Sequence, residues 1–254
     1  MIQDSCCFQS QAEGPVVAGI AKGAPPTCVS LAYELKFLID ENRASEVLSW
    51  ARQHMTLDPH VEPSLGDAYR IFSLYLDTPA LDVFCRRGST ARSKFRLRRY
   101  GDESAIYLER KRKKRDCVEK RRVPVLEAEM GLLQGPDAPP DWTGRWFHKR
   151  LRARGLQPIC QVSYERAAYI AGDPIDPLRL TLDRRLGCVP ATEWVAPSFH
   201  RGLELLPGRR ILELKYRGSL PALFKQAIRD LCLNPAPVSK YRLSVEACKR
   251  SIVS

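Results

Sequence analysis

The stretch KFRLR at residues 94–98 alternates basic with apolar side chains, so that three cations share one side and two apolar residues share the other. Successive side chains of a β-strand point to opposite faces of the sheet, whereas a helix repeats every 3.6 residues. The alternation therefore predicts a strand with one apolar face and one purely cationic face. The direction in which the cationic face points decides the fold.

Seven further segments show the same period of two and predict further strands. They lie at residues 33–39, 69–77, 105–111, 118–125, 161–169, 178–184 and 211–217. Helical patterns occur over residues 41–53, 142–153 and 221–232, and Gly155 follows the second as a stop signal. We predict an α+β fold in which eight antiparallel strands close into a β-tunnel with flanking helices, because closure leaves no exposed sheet edge.

The composition bounds the class of protein. The chain has 254 residues, of which 44% are hydrophobic, enough for a globular domain with a sizeable core. We predict that residues 1–30 form a disordered N-terminal tail and that residues 31–250 form a single tunnel domain. No apolar run approaches the roughly 20 residues that span a bilayer, so coupling to a membrane would need a separate partner. The nine scattered cysteines lack a C-x-x-C pair, which favours reduced thiols in a cytoplasmic protein over structural zinc.

The charge balance indicates a polyanionic partner. Lys and Arg number 41 against 29 Asp and Glu, a net charge of +12, which favours nucleic acid, an anionic membrane or phosphates. The strand cations fall on one set of faces: Lys36, Lys94, Arg96, Arg98, Lys111, Lys120, Arg122, Arg166, Arg179, Lys215 and Arg217. Solvated faces mix both signs to limit repulsion. We therefore expect these faces to line a common channel that holds an anion, although a solvated face is the simpler interpretation of any one strand.

The densest basic run, RKRKKR at residues 110–115, resembles a nucleic-acid patch or a nuclear-localisation signal. Its position between two alternating strands favours a solvated hairpin tip, which would still draw a polyanion toward the tunnel mouth. The chain lacks the aromatic pattern of RNA-binding sheets and zinc-finger spacing. We therefore do not expect a nucleic-acid partner.

Eight short motifs occur in a defined order along the chain. They are YELKF (33–37), LYLDTP (74–79), KFRLRRYG (94–101), YLERK (107–111), YER (164–166), LTLDR (180–184), LELK (212–215) and SKY (239–241). Together they resemble the VTC domain of polyphosphate polymerases, within the triphosphate tunnel metalloenzyme (CYTH-like) superfamily. The resemblance covers roughly residues 33–248. It implies the antiparallel tunnel fold and ATP-dependent synthesis of inorganic polyphosphate with Mn²⁺ or Mg²⁺.

The resemblance also implies roles for individual residues. The catalytic cations would be Lys36, Arg96, Arg98, Lys111 and Arg166. Lys120 and Lys240 would line the phosphate path with them, and Glu213 would hold the metal ion. Arg122, Lys215, Lys94 and Arg179 share strand faces with these residues and are expected to bind substrate as well. ATP and polyphosphate are the expected partners.

The residue types suit phosphoryl transfer, which depends mainly on positioning and on neutralising spread negative charge. A phosphate acceptor is already ionised and needs no general base, whereas hydrolysis needs an oriented water. Triphosphatases of the superfamily open with an E-x-E-x-K strand. The corresponding ELKFL, residues 34–38, lacks the second carboxylate and the later lysine. This departure favours synthesis and leaves a triphosphatase or a non-catalytic polyphosphate-binding module as alternatives.

Overall fold

The alternating segments form the long strands of a single sheet in the computed structural model, which describes residues 30–114, 117–174 and 176–253. The predicted tail, residues 1–30, lies outside these ranges except for Ser30, which begins β1. The strands are β1 (Ser30–Asp40), β2 (Thr56–Leu57), β3 (Ala68–Asp77), β4 (Ser93–Tyr100), β5 (Ala105–Lys114), β6 (Cys117–Leu126), β7 (Gln157–Ala171), β8 (Leu178–Pro190), β9 (Leu203–Glu204) and β10 (Arg209–Tyr216). The helices are α1 (Glu41–His54), α2 (Asp82–Cys85), α3 (Arg145–Arg154), α4 (Ala222–Asp230) and α5 (Lys240–Val253).

Eight of the strands close into a ring. The strand order is β2-β7-β3-β4-β5-β6-β1-β10-β8-β9, and an additional antiparallel pairing of β7 with β8 joins the two sides. The short strands β2 and β9 extend the sheet outside the ring. All eight strands expected from the alternation are present, and the predicted eight-stranded antiparallel fold with flanking helices is confirmed.

The register brings the charged faces together inside the ring. Lys36 lies opposite Glu213, Lys94 opposite Lys111, and Arg96 opposite Glu109. Directly opposed residues of an antiparallel pair point to the same side of the sheet. Arg217 is an exception to the predicted set, because β10 ends one residue before it and its side chain pairs with Asp176 at 3.3 Å at the surface.

The apolar faces of the strands point outward and carry the main cores. Phe37 of β1 and Leu212 of β10 pack against Val47 of α1 and Phe224 of α4. On the other side of the ring, Phe95 and Leu108 pack with Phe147 and Leu151 of α3. The hydrophobic effect thus holds the helices to the outside of the barrel. This arrangement leaves the inner faces free to carry charge.

Helix α5 was not predicted, and it fills one end of the barrel. Tyr241, Val245 and Cys248 form a cluster with inward-facing residues such as Tyr75 and Ile211. This apolar end of the channel was not predicted from the sequence. One end is an apolar plug, and the cations occupy the remainder.

Local signals explain the boundaries of the other helices. Asp40 caps α1 by accepting a hydrogen bond from the backbone N–H of Arg43 at 2.9 Å. The expected helix over residues 142–153 begins only at Arg145, after Gly144. The Trp142 ring packs beside Gly144, where a Cβ atom would come within 2.5 Å of it. It ends at Gly155 with φ 57°, as predicted. The last predicted helix, residues 221–232, is shortened to α4.

Five of the cysteines that the structure describes are reduced thiols. Cys160, Cys188 and Cys248 are buried, and Cys85 and Cys232 are exposed. The buried three lie between α5 and the barrel and fill apolar space there.

Candidate functional site

A cavity of about 290 Å³ occupies the cationic part of the barrel. This volume is at the lower end of the range for small-ligand sites. Its lining includes Glu34, Arg96, Lys111, Lys120, Arg122, Arg166, Arg179, Glu213 and Lys215, with Tyr69, Tyr100, Tyr107 and Thr181. His60 and Glu103, also in the lining, are exposed, so the cavity opens beside them. We refer to it as the central cavity.

Glu109 of β5 organises one wall of the central cavity. Its carboxylate is fully buried and forms ion pairs with Arg96, Lys120 and Arg122, at N···O distances of 2.6, 2.6 and 3.8 Å. Burial alone would raise the pKa of Glu109, but Arg96 and Lys120 hold that pKa well below its usual range. The carboxylate is therefore ionised and fixes the positions of three predicted phosphate-binding cations.

Asp183 of β8 plays the same part on the opposite wall. Arg166 donates two hydrogen bonds to it, at 2.6 and 2.8 Å, in a fork geometry. Lys240, at the start of α5, donates to the same carboxylate. Burial raises the pKa of Asp183, but Arg166 and Lys240 outweigh it and lower the pKa. Asp183 thereby ties the plug helix to the catalytic cations expected from the sequence.

The third cluster combines both charge signs. Lys36 Nζ lies 3.1 Å from Glu213 Oε2 and 3.9 Å from Glu34 Oε2, while Lys111 Nζ binds the other oxygen of Glu34 at 2.7 Å. Glu213 raises the pKa of Lys36. Burial would raise the pKa of Glu213, yet Lys36 and Lys111 hold it well below its usual range. The two carboxylates stay ionised and already accommodate one cation between them.

The remaining predicted cations also face inward. Arg98 is 4% exposed and donates to Ser73 Oγ at 3.2 Å and to Tyr164 Oη at 3.0 Å. Lys94 donates to Ser239 Oγ at 2.8 Å. Burial, reinforced by Lys36 and Lys111, lowers the pKa of Lys94 to about 7. Apart from Arg217, the predicted cations thus face the interior, eleven in all when Lys240 is counted. Seven of them line the central cavity with Glu213, while their catalytic and binding roles stay predictions.

Arg179 marks the rim of the central cavity. It donates to Tyr69 Oη at 3.0 Å and pairs with the buried Asp58 at 2.6 Å. Asp58 in turn accepts from the backbone N–H and the ring of His60. Sequence reasoning missed Asp58 and His60, because they lie in an irregular loop without alternation. It also missed the tyrosines of the lining, which the same period of two would have placed on the inner face.

Few side chains near the central cavity could act as ligands of a metal ion. Among residues 30–114, 117–174 and 176–253, no group of three or more His, Cys, Asp or Glu side chains is placed to hold a metal ion. Glu34 and Glu213 are the two carboxylates that share a bridging ammonium group. A divalent ion that kept waters and took oxygens from bound phosphates would need only one or two such carboxylates.

Comparisons with known proteins agree with this architecture. The sequence profile of the VTC domain matches residues 31–249. A putative adenylate cyclase from Bacillus halodurans is 14% identical over 82% of this chain and 95% of its own, with a TM-score of 0.50. A putative adenylyl cyclase from Hippeastrum, described as having a dominant triphosphatase activity, is 14% identical over 86% and 96% of the two chains, with a TM-score of 0.52. These structural likenesses show the fold.

No curated protein matches the chain. None of the described helices is long and apolar enough to cross a membrane.

Proposed function

Because the chain belongs to the VTC domain family, we propose that it is a polyphosphate polymerase that transfers the γ-phosphate of ATP to a growing chain in the central cavity. The observation that carries the proposal is the inward convergence of eleven cations, in excess over Glu34, Glu109, Asp183 and Glu213. A lining with such an excess of positive charge suits a repeating polyanion better than a substrate with a single anionic group. The expected partners are therefore ATP and polyphosphate.

The cavity residues are arranged to hold phosphates rather than to exchange protons. Arg96 and Arg166 present guanidinium forks that are fixed by buried carboxylates. Such fixed forks bind phosphate oxygens without a further loss of side-chain freedom. The lysines supply further positive charges, with Lys111 and Lys120 directly opposite each other on β5 and β6. Positioning and charge neutralisation are the main requirements of phosphoryl transfer.

The proposed phosphoryl transfer needs no general acid or general base from the protein. A terminal oxygen of the acceptor chain forms a bond to the γ-phosphorus, while the bond from that phosphorus to the β–γ bridging oxygen breaks and ADP leaves. Both the attacking and the leaving oxygens are phosphate oxygens, ionised or nearly so at neutral pH. The role of Lys36, Arg96 and Arg98 is to bind and align the two chains and to stabilise the charge on the transferred group.

A divalent cation, Mn²⁺ or Mg²⁺, fits the acidic side of the cavity. The place between Glu213 and Glu34 already holds the ammonium group of Lys36, which shows that the pair accepts a positive charge. We assign Glu213 as the protein ligand, with Glu34 beside it. When bound, the ion would neutralise phosphate oxygens and favour departure of the leaving group.

A triphosphatase is the second candidate function, and Glu34 is the observation that favours it. Glu34 and Glu213 together offer two carboxylates near one cavity, and a structural neighbour is described as a triphosphatase. Hydrolysis would require one of them to orient a water molecule. Lys111 binds one oxygen of Glu34 at 2.7 Å and the ammonium group of Lys36 lies 3.9 Å from the other. Because this carboxylate is already paired with cations, we favour transfer to phosphate. A non-catalytic polyphosphate-binding module would need only the cations.

The product of the reaction separates these functions. We expect purified protein with ATP and Mn²⁺ or Mg²⁺ to release ADP and to accumulate long-chain polyphosphate on a gel. Release of inorganic phosphate without polymer would identify a triphosphatase. Tight, salt-sensitive polyphosphate binding without ADP release under varied metals would identify a binding module. Either result would overturn the polymerase assignment.

Two variants connect the activity with the cavity. Lys36→Ala should lower kcat/KM by about 100-fold or more, as losses of fixed electrostatic groups do, while Lys225→Ala on the exposed side of α4 serves as the matched control. Glu213→Gln should abolish turnover but leave polyphosphate binding at least as tight, because it removes a negative charge from an anion site. Equal loss of binding and turnover in Glu213→Gln would contradict a metal-holding role.

A further inference from the structure

A second group of cations lies on the outer surface of the barrel, between the β5–β6 hairpin and α3. We call it the outer cation cluster: Arg110 and Arg112 on β5, Arg121 on β6, and Arg150 and Arg154 on α3. Arg110 alternates with the inward-facing Glu109 and Lys111, and Arg121 alternates with Lys120 and Arg122. The cluster is therefore separated from the central cavity by the thickness of one hairpin. The basic run at residues 110–115 is not merely a hairpin tip, since its described part extends β5.

The outer cation cluster is poorly neutralised. Arg110 lies directly opposite Arg121 across the two strands, a placement that like charges disfavour. Among the described residues, Glu119 is the carboxylate that pairs with the cluster, through Arg110. Burial first, and then Arg110 and Arg150, lower the pKa of Arg121. Burial followed by Arg150, Arg110 and Arg112 lowers the pKa of Arg154.

The cluster also holds unused hydrogen-bond donors. Arg110 Nε, Arg154 Nη1 and Trp146 Nε1 are buried atoms that have no hydrogen-bond partner among the described residues. Unpaired buried donors cost free energy, so these side chains add positive field at atoms without any acceptor group to offset it. The cluster thus lacks the negative charge that phosphate supplies.

We propose that the outer cation cluster is a second binding site for polyphosphate, which holds the chain outside the central cavity. The inference rests on the proposed function for the identity of the polymer. Trp146, Arg150 and Arg154 recur every four residues and form one stripe along α3, with about 6 Å between successive members. A row of donors facing Arg110 and Arg121 matches a linear anion better than a compact one.

Other polyanions fit the cluster less well. Single-stranded nucleic acid is held largely by base stacking on exposed aromatic rings, but the Trp146 ring is covered by the guanidinium of Arg121 at 4.2 Å. A flat anionic membrane would reach the exposed Arg112 and Arg150, whereas Arg110 and Arg154 are half-buried. A phosphate chain is narrow enough to contact the exposed and the half-buried members together.

The two phosphate sites are linked by the hairpin itself. Lys111 lines the central cavity, and the next two residues of β5, Arg112 and Lys113, are exposed. A chain that leaves the cavity along this edge of the hairpin meets these cations before it reaches Arg110 and Arg121 on the outer face. Binding there would retain a long product between additions, so the outer site should affect long chains and not short ones.

The test compares two double variants of α3 that remove equal charge. Arg150→Ala with Arg154→Ala removes the cluster side of the helix, and Lys149→Ala with Arg152→Ala removes exposed cations from its other flank. Affinities for long-chain polyphosphate and for tripolyphosphate are measured by titration over a range of salt concentrations. If thermal unfolding shows that the double variant Arg150→Ala with Arg154→Ala does not fold, the single variant Arg150→Ala, at an exposed position, is used instead.

We expect the cluster variant to bind long-chain polyphosphate about tenfold more weakly, with a salt dependence reduced by about one to two in logarithmic slope. Tripolyphosphate affinity and the rate of ADP release should be unchanged, and the flank variant should match the wild type. Equal effects of the two variants, or equal loss of tripolyphosphate binding, would overturn the proposal. Competition by single-stranded RNA or anionic vesicles as strong as that by polyphosphate would overturn its specificity.

The outcome also distinguishes this inference from the proposed function. If the wild type makes polymer and the cluster variant binds long chains normally, the outer site fails and the polymerase stands. If the wild type makes no polymer, but the cluster variant binds long chains more weakly than the wild type does, the polymerase assignment fails and the outer site stands.

Discussion

Replacing Glu109 with Gln should show whether the central cavity is assembled around a buried negative charge. Removing one partner of a buried ion pair typically costs 3–5 kcal/mol, because the other partner is left uncompensated. The side chains of Arg96, Lys120 and Arg122 are 12%, 26% and 29% exposed, so water can partly solvate them after the change. We therefore expect the lower end, about 3 kcal/mol, or a Tm lower by about 6–12 °C for a chain of this size.

A phosphate ligand should repair much of this defect. Tripolyphosphate at 100 times its Kd stabilises a native protein by about 2.7 kcal/mol. Because Glu109→Gln leaves three cations without their carboxylate, the ligand should bind the variant more tightly and narrow the gap in Tm from the wild type. Thermal unfolding with and without tripolyphosphate measures both effects.

The matched control is Glu127→Gln, which removes the carboxylate of the Arg99–Glu127 surface pair. A surface pair of this kind contributes about 0–1 kcal/mol, and tripolyphosphate should stabilise this variant as it does the wild type. The reasoning would be refuted if Glu109→Gln were as stable as Glu127→Gln, or if tripolyphosphate increased the difference in Tm between Glu109→Gln and the wild type.

Three other perturbations test separate parts of the barrel. Burial and neighbouring cations lower the pKa of Lys94 to about 7. Tripolyphosphate should therefore bind more tightly at pH 6 than at pH 8, because the protonated ammonium group attracts the anion. Lys94→Met should reduce this pH dependence of the affinity in a calorimetric titration. Tyr241→Phe removes a hydroxyl that donates to the buried Asp77, and should lower unfolding stability by about 1–3 kcal/mol and expose α5 to proteolysis; an unchanged cleavage pattern would argue against the plug. Arg166→Lys loses the fork to Asp183 and should weaken tripolyphosphate binding by about tenfold; retention of full affinity would show that charge alone suffices there.

The alternation of charge was sufficient to predict the eight strands and the inward direction of their cations. A period of two is a local property, and it survives because each strand packs one face against outer helices. The same reasoning extends to Lys94 and Arg98, whose inner position follows from Phe95 and Leu97 pointing outward into the core. The closure between β7 and β8 could be expected only because an open edge is unfavourable.

The organising carboxylates and α5 were harder to foresee. Alternation places Glu109 and Asp183 on inner faces, but their partners come from strands distant in sequence and depend on register. Tyr241, Val245 and Cys248 recur at intervals of four and three, which is a helical pattern that could have revealed α5. That α5 enters the barrel end could not be predicted, because its position depends on the apolar inward residues of other strands.

The direction of the lysine pKa values reveals how the cavity is divided. Burial lowers the pKa of Lys94, Lys120, Lys215 and Lys240, and it outweighs Glu109 at Lys120 and Asp183 at Lys240, which act in the opposite direction. Lys36 alone among the lysines with a resolved shift moves the other way, because Glu213 lies beside it. A polyphosphate chain would relieve the first group by supplying negative charge. Lys36 lies beside Glu213 and Glu34. A divalent cation bound there would add to the attraction that Lys36 exerts on phosphate, so a metal ion would act on the acidic side of the barrel together with the cations that bind the chain.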